Sequence, residues 1–201
     1  MEIREITFRF KGEREYIQGP DIYNAMVKGP RNADLTDIRF SVHEFVKVST
    51  CKIFSSTSKE EIDKLGHFEA RCQYCHNGLP VWLGLRTDPD TASGEKVREP
   101  YQEERVTSLC RIEVDEITLD GMSPFSFIET IVAMNKHHLQ TLFPGAPGKW
   151  VFTRIDLIHG CNKKEGLKLV FRHNVGFRLT KSDVVVDGVK IGDIYFSLVR
   201  S

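Results

Sequence analysis

A glutamate and an asparagine six residues apart carry the side chains best suited to chemistry, the first as a base and the second as a hydrogen-bonding group. Glu129 and Asn135 lie in SPFSFIETIVAMNKHHLQTLF (123–143), where apolar residues recur at the spacing of an amphipathic helix. At about 100° per residue, Asn135 falls in the middle of the apolar stripe and Glu129 at its edge. A carboxylate there could act as a general base, and a buried carboxamide needs a partner in backbone, water or a ligand. Both residues also fit a helix without a site, with Glu129 solvated and Asn135 bonded to a neighbouring strand.

Three further side chains could complete such a site. His138 flanks the same apolar stripe, and His43, in SVHEF, alternates with Val42 on a predicted strand. Tyr23 lies in a helical stretch of the first half of the chain, beside Asn24. We therefore regard His43 and Tyr23 as candidates that the first half could contribute, and His138 as a candidate from the second.

A repeat relates the two halves of the chain, which must position these residues. The matching segments have offsets of 110 to 112 residues: 5–7 with 116–118, 16–18 with 127–129, Asn24 with Asn135, Phe40–Ser41 with Phe152–Thr153, and Asn77–Gly78 with Asp187–Gly188. The repeat pairs Gln18 with Glu129, which predicts one working site in the second half with the first half as its wall.

Each half has the same order of predicted elements, namely a strand, a helix and three further strands. The first half has strands at 2–10, 38–54, 67–75 and 79–87 and a helix at 20–29, which Gly19–Pro20 interrupts; the second has strands at 108–119, 150–160, 168–186 and 189–199 and a helix at 124–143. Asn77–Gly78 and Asp187–Gly188 predict hairpin turns, because both central residues of a type I′ turn need positive φ. A polar segment, 87–104, reads as a linker, so we expect an N-terminal half at 1–90 and a C-terminal half at 104–201 in one compact pseudo-twofold unit.

The Cys-x-x-Cys-His pattern at 72–76 matches the sequence to which haem is attached covalently. Haem attachment needs an oxidising compartment and an export signal, and a zinc site needs two more ligands, for which His159 and Cys161 are the candidates. The repeat places Cys75 two residues before the hairpin turn, where the second half has Val185. We therefore interpret Cys75 as a small apolar residue of the sheet and expect no metal.

The order of elements resembles the hot-dog fold, in which a sheet wraps around one long helix. Two copies predict an α+β double hot dog, with two antiparallel sheets each wrapped around a central helix. The segment MSPFSFIETIVAMN also resembles the central-helix motif of hot-dog 3-hydroxyacyl-carrier-protein dehydratases, whose glutamate matches Glu129. It is similar, too, to the mycobacterial long-chain fatty acyl thioesterase family, whose spacing Phe125, Glu129 and Asn135 reproduce. Where the dehydratases have their catalytic histidine, this chain has Asp115 and Glu116.

These resemblances imply an enzyme that processes an acyl thioester carried on coenzyme A or phosphopantetheine, with no cofactor of its own and with an acyl carrier protein as a possible partner. Hydrolysis by a thioesterase is the first expectation, with Glu129 as base or nucleophile and Asn135 orienting water or the carbonyl. The residues expected to bind substrate are Ser123, Phe125, Ser126, Phe127 and His138. Dehydration or decarboxylation with His43 or Tyr23 is the alternative reaction, and a non-catalytic binding or scaffold protein is the alternative class.

Composition limits the remaining classes. Lys and Arg number 28 and Asp and Glu also 28, so no net field favours nucleic acid or an anionic membrane. No apolar run reaches membrane-spanning length and the charged N-terminus has no signal-peptide core, which predicts a cytoplasmic protein, as a pseudo-dimeric monomer or a homodimer. The five cysteines are expected to be thiols. Lys136, Lys149 and Arg154 are candidates for contacts to phosphate.

Overall fold

Antiparallel strands form the framework of the first unit, Met1–Tyr101, in the computed structural model, which describes residues 1–28, 34–87 and 96–200. The strands of this unit are β1 (Glu2–Thr7), β2 (Phe10–Lys11), β3 (Leu35–Val42), β4 (Thr50–Ser56), β5 (Ala70–His76), β6 (Leu79–Thr87) and β7 (Arg98–Glu99). Five of them pair in the order β1-β4-β6-β5-β3, and β2 pairs with β7 in parallel. The segment predicted as one strand at 38–54 is therefore two strands, because β3 ends at Val42 and β4 begins at Thr50.

The first helix, α1 (Gly19–Met26), begins where the sequence had suggested an interruption. Gly19 and Pro20 are its first two residues, so the prediction that they interrupt the helix is wrong. Proline is tolerated there because the first-turn N–H groups have no intrahelical acceptor in any case. Ile22 and Met26 are buried, and the Tyr23 ring meets that of Phe40 on β3 edge-on at 5.5 Å between centroids.

Both predicted hairpin turns have the backbone that their sequences indicated. Asn77 and Gly78 have φ of 51° and 75°, and Asp187 and Gly188 have φ of 49° and 80°. Positive φ at both central residues is the type I′ geometry, so these two predictions are confirmed.

A helical crossover connects β4 to β5. Both strands are antiparallel to β6, which lies between them, so they are parallel to each other. Two parallel strands of one sheet need a connection of about a dozen residues or more, usually a helix. The connection contains α2 (Lys59–Lys64), which the Ser58 hydroxyl caps by accepting the Glu61 N–H.

The crossover covers one face of these strands with an apolar cluster made by Phe54, Ile62 and Phe68, with Trp82 packed against it. The Phe68 ring lies so close over Gly84 that an added Cβ would stand 2.5 Å from ring carbons, which leaves glycine as the residue that fits. The Arg71 and Arg86 guanidiniums lie 5.1 and 4.7 Å from the centre of that ring. Arg86 also donates to the His67 carbonyl at 2.9 Å and so fixes the end of the crossover.

The second unit, Gln102–Ser201, is also α+β. Its strands are β8 (Cys110–Glu113), β9 (Glu116–Leu119), β10 (Lys149–His159), β11 (Leu167–Val175), β12 (Leu179–Val186) and β13 (Val189–Val199), and its helices are α3 (Glu104–Thr107) and α4 (Phe127–Leu142). The antiparallel order is β8-β9-β11-β12-β13-β10. The predicted strand at 168–186 is thus a hairpin of β11 and β12, and the one at 108–119 is a hairpin of β8 and β9.

The two units differ in how their type I′ hairpins join the other strands. In the first unit the leading hairpin strand, β5, pairs with β3, whereas in the second the leading strand, β12, pairs with β11. The two hairpins therefore occupy different places in the strand order of their units. The prediction that the repeat makes them equivalent is wrong in this respect. Residues 88–95 of the predicted linker, and with them the expected boundary at 90, lie outside the described residues. Elsewhere in the predicted linker, 98–99 belong to β7, and α3 at 104–107 begins at its last residue.

Cys72 and Cys75 lie on β5 and point to opposite faces of the strand, because side chains alternate along it. Cys72 is buried and Cys75 half-buried, and all five cysteines are unpaired thiols. No group of three or more His, Cys, Asp or Glu within residues 1–28, 34–87 and 96–200 is arranged to hold a metal ion. Over the same residues, no helix combines the length and apolar character needed to cross a membrane.

Candidate functional site

The N-terminus of α4 is closed by a reciprocal pair of bonds between Ser126 and Glu129. The Glu129 carboxylate accepts the Ser126 N–H at 3.1 Å and the Ser126 hydroxyl at 2.6 Å, and the Glu129 N–H donates to Ser126 Oγ at 3.4 Å. This capping box is the expected result of a Ser-x-x-Glu sequence before an apolar run. It holds a half-buried carboxylate in a fixed orientation at the positive end of the helix dipole.

A second set of hydroxyls fixes the turn that precedes the helix. Ser123 is 2% exposed and Thr130 is fully buried, and their hydroxyl oxygens are 2.6 Å apart. The Ser123 N–H donates to the Lys164 carbonyl at 2.8 Å, and Ser123 Oγ accepts the Phe125 N–H at 3.1 Å. The first-turn N–H groups, those of Phe127 and Ile128, have no acceptor within the helix.

Asn135 and His138 form a second polar group further along α4. Asn135 is 1% exposed, His138 is fully buried, and the two residues lie on the same side of the helix, about 4.5 Å apart along its axis. Neither the oxygen nor the nitrogen of the Asn135 carboxamide has a hydrogen-bond partner among the described residues. The same holds for His138 Nδ1. A buried polar atom without a hydrogen-bond partner costs about 1–3 kcal/mol. A ligand group or water that bonds to these atoms would therefore stabilise the folded protein.

The tautomer of His138 follows from its one backbone contact. Its Nε2 lies 3.3 Å from the Val114 carbonyl oxygen, which can only accept, so Nε2 carries the proton and Nδ1 is a bare acceptor. Burial lowers the pKa of His138, and the bond to Val114 and the nearby Asp115 oppose that shift only in part. The imidazole is therefore neutral near pH 7.

The lowered pKa of His138 predicts that the stability of the protein depends on pH. Because the folded-state pKa of His138 is depressed, the unfolded chain takes up the proton first as the pH falls, and the free energy of unfolding decreases below about pH 6.5. A single group can contribute a slope of at most about 1.4 kcal/mol per pH unit. Urea unfolding at about pH 7.5 and about pH 5.5 should show a smaller loss for His138→Gln than for the wild type, since Gln can still donate to Val114. Equal losses in the two proteins would contradict this assignment.

The structure thus brings the predicted residues of the second unit together in two groups. Ser123, Ser126 and Glu129 surround the start of α4, and the Asn135–His138 group begins about 9 Å further along the helix axis. Phe127 is buried, and the half-buried Phe125 ring lies 5.9 Å from the Arg105 guanidinium. Thr130 was not singled out in the sequence, although its position one residue after the capping glutamate places it in this network.

The two candidates of the first unit, Tyr23 and His43, differ in their burial. Tyr23 is buried against Phe40 on α1. His43 does not lie on a strand face as predicted, because β3 ends at Val42 and the imidazole is exposed, with Nε2 3.1 Å from Ser41 Oγ. Although the His43 imidazole is exposed, loss of part of its hydration and the nearby Arg71 lower its pKa.

The first unit also contains an ion pair that sequence reasoning missed. Lys11 Nζ lies 2.6 Å from the Asp21 carboxylate in the first turn of α1, with side-chain exposures of 8% and 18%. In the sequence, Lys11 directly follows the apolar residue Phe10, and this is only a weak signal for a buried lysine.

No protein-family model and no curated protein matches the chain. Among solved structures, the chain is similar to the dehydratase domain of PpsC from Mycobacterium tuberculosis in complex with C12:1-CoA, at 7% identity, with 98% of this chain and 93% of that chain covered and a TM-score of 0.50. It is also similar to the tesB protein of Mycobacterium avium subs paratuberculosis, at 10% identity, 96% and 91% coverage and a TM-score of 0.49. The similarity to the dehydratase domain extends over nearly the whole chain and shows that this α+β protein has a hot-dog fold, as the order of its elements predicted.

Proposed function

We propose that the protein acts on an acyl thioester and that its reaction is hydrolysis. The observation that carries this proposal is the N-terminus of α4, where the Glu129 carboxylate is held by Ser126 within one turn of the N–H groups of Phe127 and Ile128, which have no acceptor within the helix. A fixed carboxylate beside backbone donors that have no intrahelical acceptor combines a base with a site for developing negative charge. The two units, each with antiparallel strands and a helix, would be the halves of a double hot dog.

Glu129 accepts a proton from water as that water adds to the thioester carbonyl carbon. The carbonyl oxygen gains the negative charge and is stabilised by the N–H groups of Phe127 and Ile128 and by the helix dipole. The tetrahedral intermediate then expels the thiolate by breaking the C–S bond, and the proton held by Glu129 passes to the sulfur. Ser126 keeps the carboxylate oriented through both steps.

Asn135 and His138 supply a second contact to the substrate. The carboxamide can both donate and accept, and His138 Nδ1 accepts, so together they suit a water or a polar group of the acyl chain. Their burial and their unpaired atoms support a role in binding a partner that the folded chain does not itself provide.

Dehydration is the second candidate reaction. The solved structure with a TM-score of 0.50 is a dehydratase domain with C12:1-CoA, which favours the same class of substrate. Against dehydration, no histidine occupies the position that the dehydratase motif would give it, where this chain has Asp115 and Glu116.

One assay separates these reactions. Purified protein is incubated with a panel of acyl-CoA and 3-hydroxyacyl-CoA substrates, while free thiol is measured with a chromogenic disulfide and the acyl products by mass spectrometry. Hydrolysis releases thiol in proportion to free acid, whereas dehydration changes acyl unsaturation without releasing thiol. If neither product forms, the enzyme proposal is wrong and the scaffold alternative gains support.

A further inference from the structure

A cleft of about 370 Å³ opens in the second unit at the turn between β11 and β12. Its lining consists of Pro147, Gly176, Phe177, Arg178, Leu198 and Arg200. The volume is in the range of sites for small organic ligands. The cleft lies at the opposite end of α4 from Glu129, because Pro147 follows the C-terminus of that helix.

The charge in this cleft is uncompensated within the described chain. Arg178 and Arg200 are both exposed, neither guanidinium has an ion pair or hydrogen bond with any residue of 1–28, 34–87 or 96–200, and no acidic residue lines the cleft. Of the three basic residues that the sequence suggested for phosphate, Lys149 is exposed at the start of β10 opposite Val199, and the other two are paired with carboxylates. Lys136 is paired with Glu103 at 2.7 Å and Arg154 with Asp156 at 2.6 Å.

Phe177 provides an aromatic wall at an unusual backbone position. Gly176 and Phe177 have φ of 56° and 60°, and the Arg178 N–H donates to the Val175 carbonyl at 3.0 Å, so Phe177 occupies the third position of a type I′ turn. Such positions favour glycine or asparagine, and a bulky residue there is strained. The ring is nonetheless held in place by Phe143 at 5.3 Å and Trp150 at 5.9 Å between centroids.

The backbone around the cleft is fixed before any ligand arrives. Asn174 Oδ1 accepts the Phe177 N–H at 2.7 Å, and the Phe177 carbonyl accepts the Leu198 N–H at 2.9 Å. The Ser197 hydroxyl donates to the Arg178 carbonyl at 2.6 Å. These bonds tie the turn to β13, so the backbone that carries Arg178 is fixed and less backbone freedom is lost on binding.

We propose that this cleft binds a phosphate ester, with Arg178 and Arg200 donating to the phosphate oxygens and Phe177 packing against the organic part. A planar guanidinium matches the geometry of phosphate, and an aromatic face accepts either a purine or an alkyl chain. The inference rests on the proposed function for the identity of the ligand, the phosphate-bearing part of the acyl carrier. That phosphate belongs either to the nucleotide of coenzyme A or to the pantetheine arm.

Calorimetric titration of the intact protein tests the binding. The probes are adenosine 3′,5′-bisphosphate, 4′-phosphopantetheine and inorganic phosphate, and the variants are Arg178→Gln, Arg200→Gln and the double variant. Each single substitution should raise Kd for the favoured ester at least about tenfold, and the double substitution more. Lys47→Gln, which removes an exposed charge of the first unit, should leave Kd unchanged.

The ester that binds more tightly identifies the source of the phosphate. Absence of saturable binding by the wild type, equal binding by the arginine variants, or binding of inorganic phosphate alone would each overturn the inference. Turnover distinguishes this failure from failure of the proposed function. Acyl-pantetheine lacks phosphate, so the arginine variants should raise KM for acyl-CoA and leave KM for acyl-pantetheine unchanged. Cleavage of both thioesters with unaltered KM would refute the cleft and retain the hydrolase.

Discussion

Glu129→Gln is expected to lower kcat for thioester cleavage by about 10²–10⁴-fold, the range that general base catalysis contributes. Glutamine removes the base but keeps an oxygen that can accept the Ser126 N–H, and it serves equally well at the third helical position of a capping box. The free energy of unfolding should therefore change by less than about 0.5 kcal/mol. Thiol release and urea unfolding, measured on the same preparation, give both quantities.

Ser126→Ala is the matched control for the capping role of this pair. It should cost about 1 kcal/mol of stability through loss of the cap, while the carboxylate of Glu129 remains and activity falls much less than in Glu129→Gln. A Glu129→Gln protein that turns over at the wild-type rate would mean that Glu129 is a cap alone.

Asn135→Leu is expected to stabilise the protein while removing at least about 99% of its activity, a loss of the size seen when a preorganised polar contact is deleted. Leucine has the same branching as asparagine but no polar atoms, so it removes two buried groups that have no partner in the described chain. The gain should be about 1–3 kcal/mol, which raises Tm by about 2–4 °C per kcal/mol in a protein of this size. Calorimetric or spectroscopic melting and the thiol assay measure the two effects.

Ser182→Ala provides the comparison for Asn135→Leu. Ser182 is also fully buried with a hydroxyl that has no partner among the described residues, but it lies on β12. This substitution should be neutral or mildly stabilising and leave activity intact. If Asn135→Leu is instead destabilised, the carboxamide is satisfied in solution by water, and its proposed role with substrate loses its physical basis.

The two type I′ turns and the start of α4 could be predicted because a few consecutive residues determine each of them. Asn-Gly and Asp-Gly specify their turns through backbone strain alone, and the Ser-x-x-Glu sequence specifies the start of α4. The crossover through α2 was missed because strand pairing depends on contacts distant in sequence. A usable signal was present in length: 57–69 separate β4 from β5, enough for a crossover, whereas 176–178 separate β11 from β12 and allow only a hairpin.

The same distinction between local and distant contacts applies to the candidate site. The wheel placed Asn135 in the apolar stripe, and the structure confirms its burial. Its lack of partners could not be predicted, because that depends on which strand atoms face the helix. Arg178 and Arg200 lie far apart in the sequence, and their meeting depends on the pairing of β12 with β13 and on the turn that β13 supports.

The placement of the two tryptophans gives each unit its own optical reporter. Trp82 is half-buried beside the crossover cluster, with the Lys59 ammonium 5.5 Å from its ring, whereas Trp150 is 7% exposed among phenylalanines. The fluorescence of Trp150 should therefore lie at shorter wavelength than that of Trp82. With one indole replaced by phenylalanine at a time, the emission maximum during denaturation follows a single unit, so the cooperativity between the units becomes directly visible.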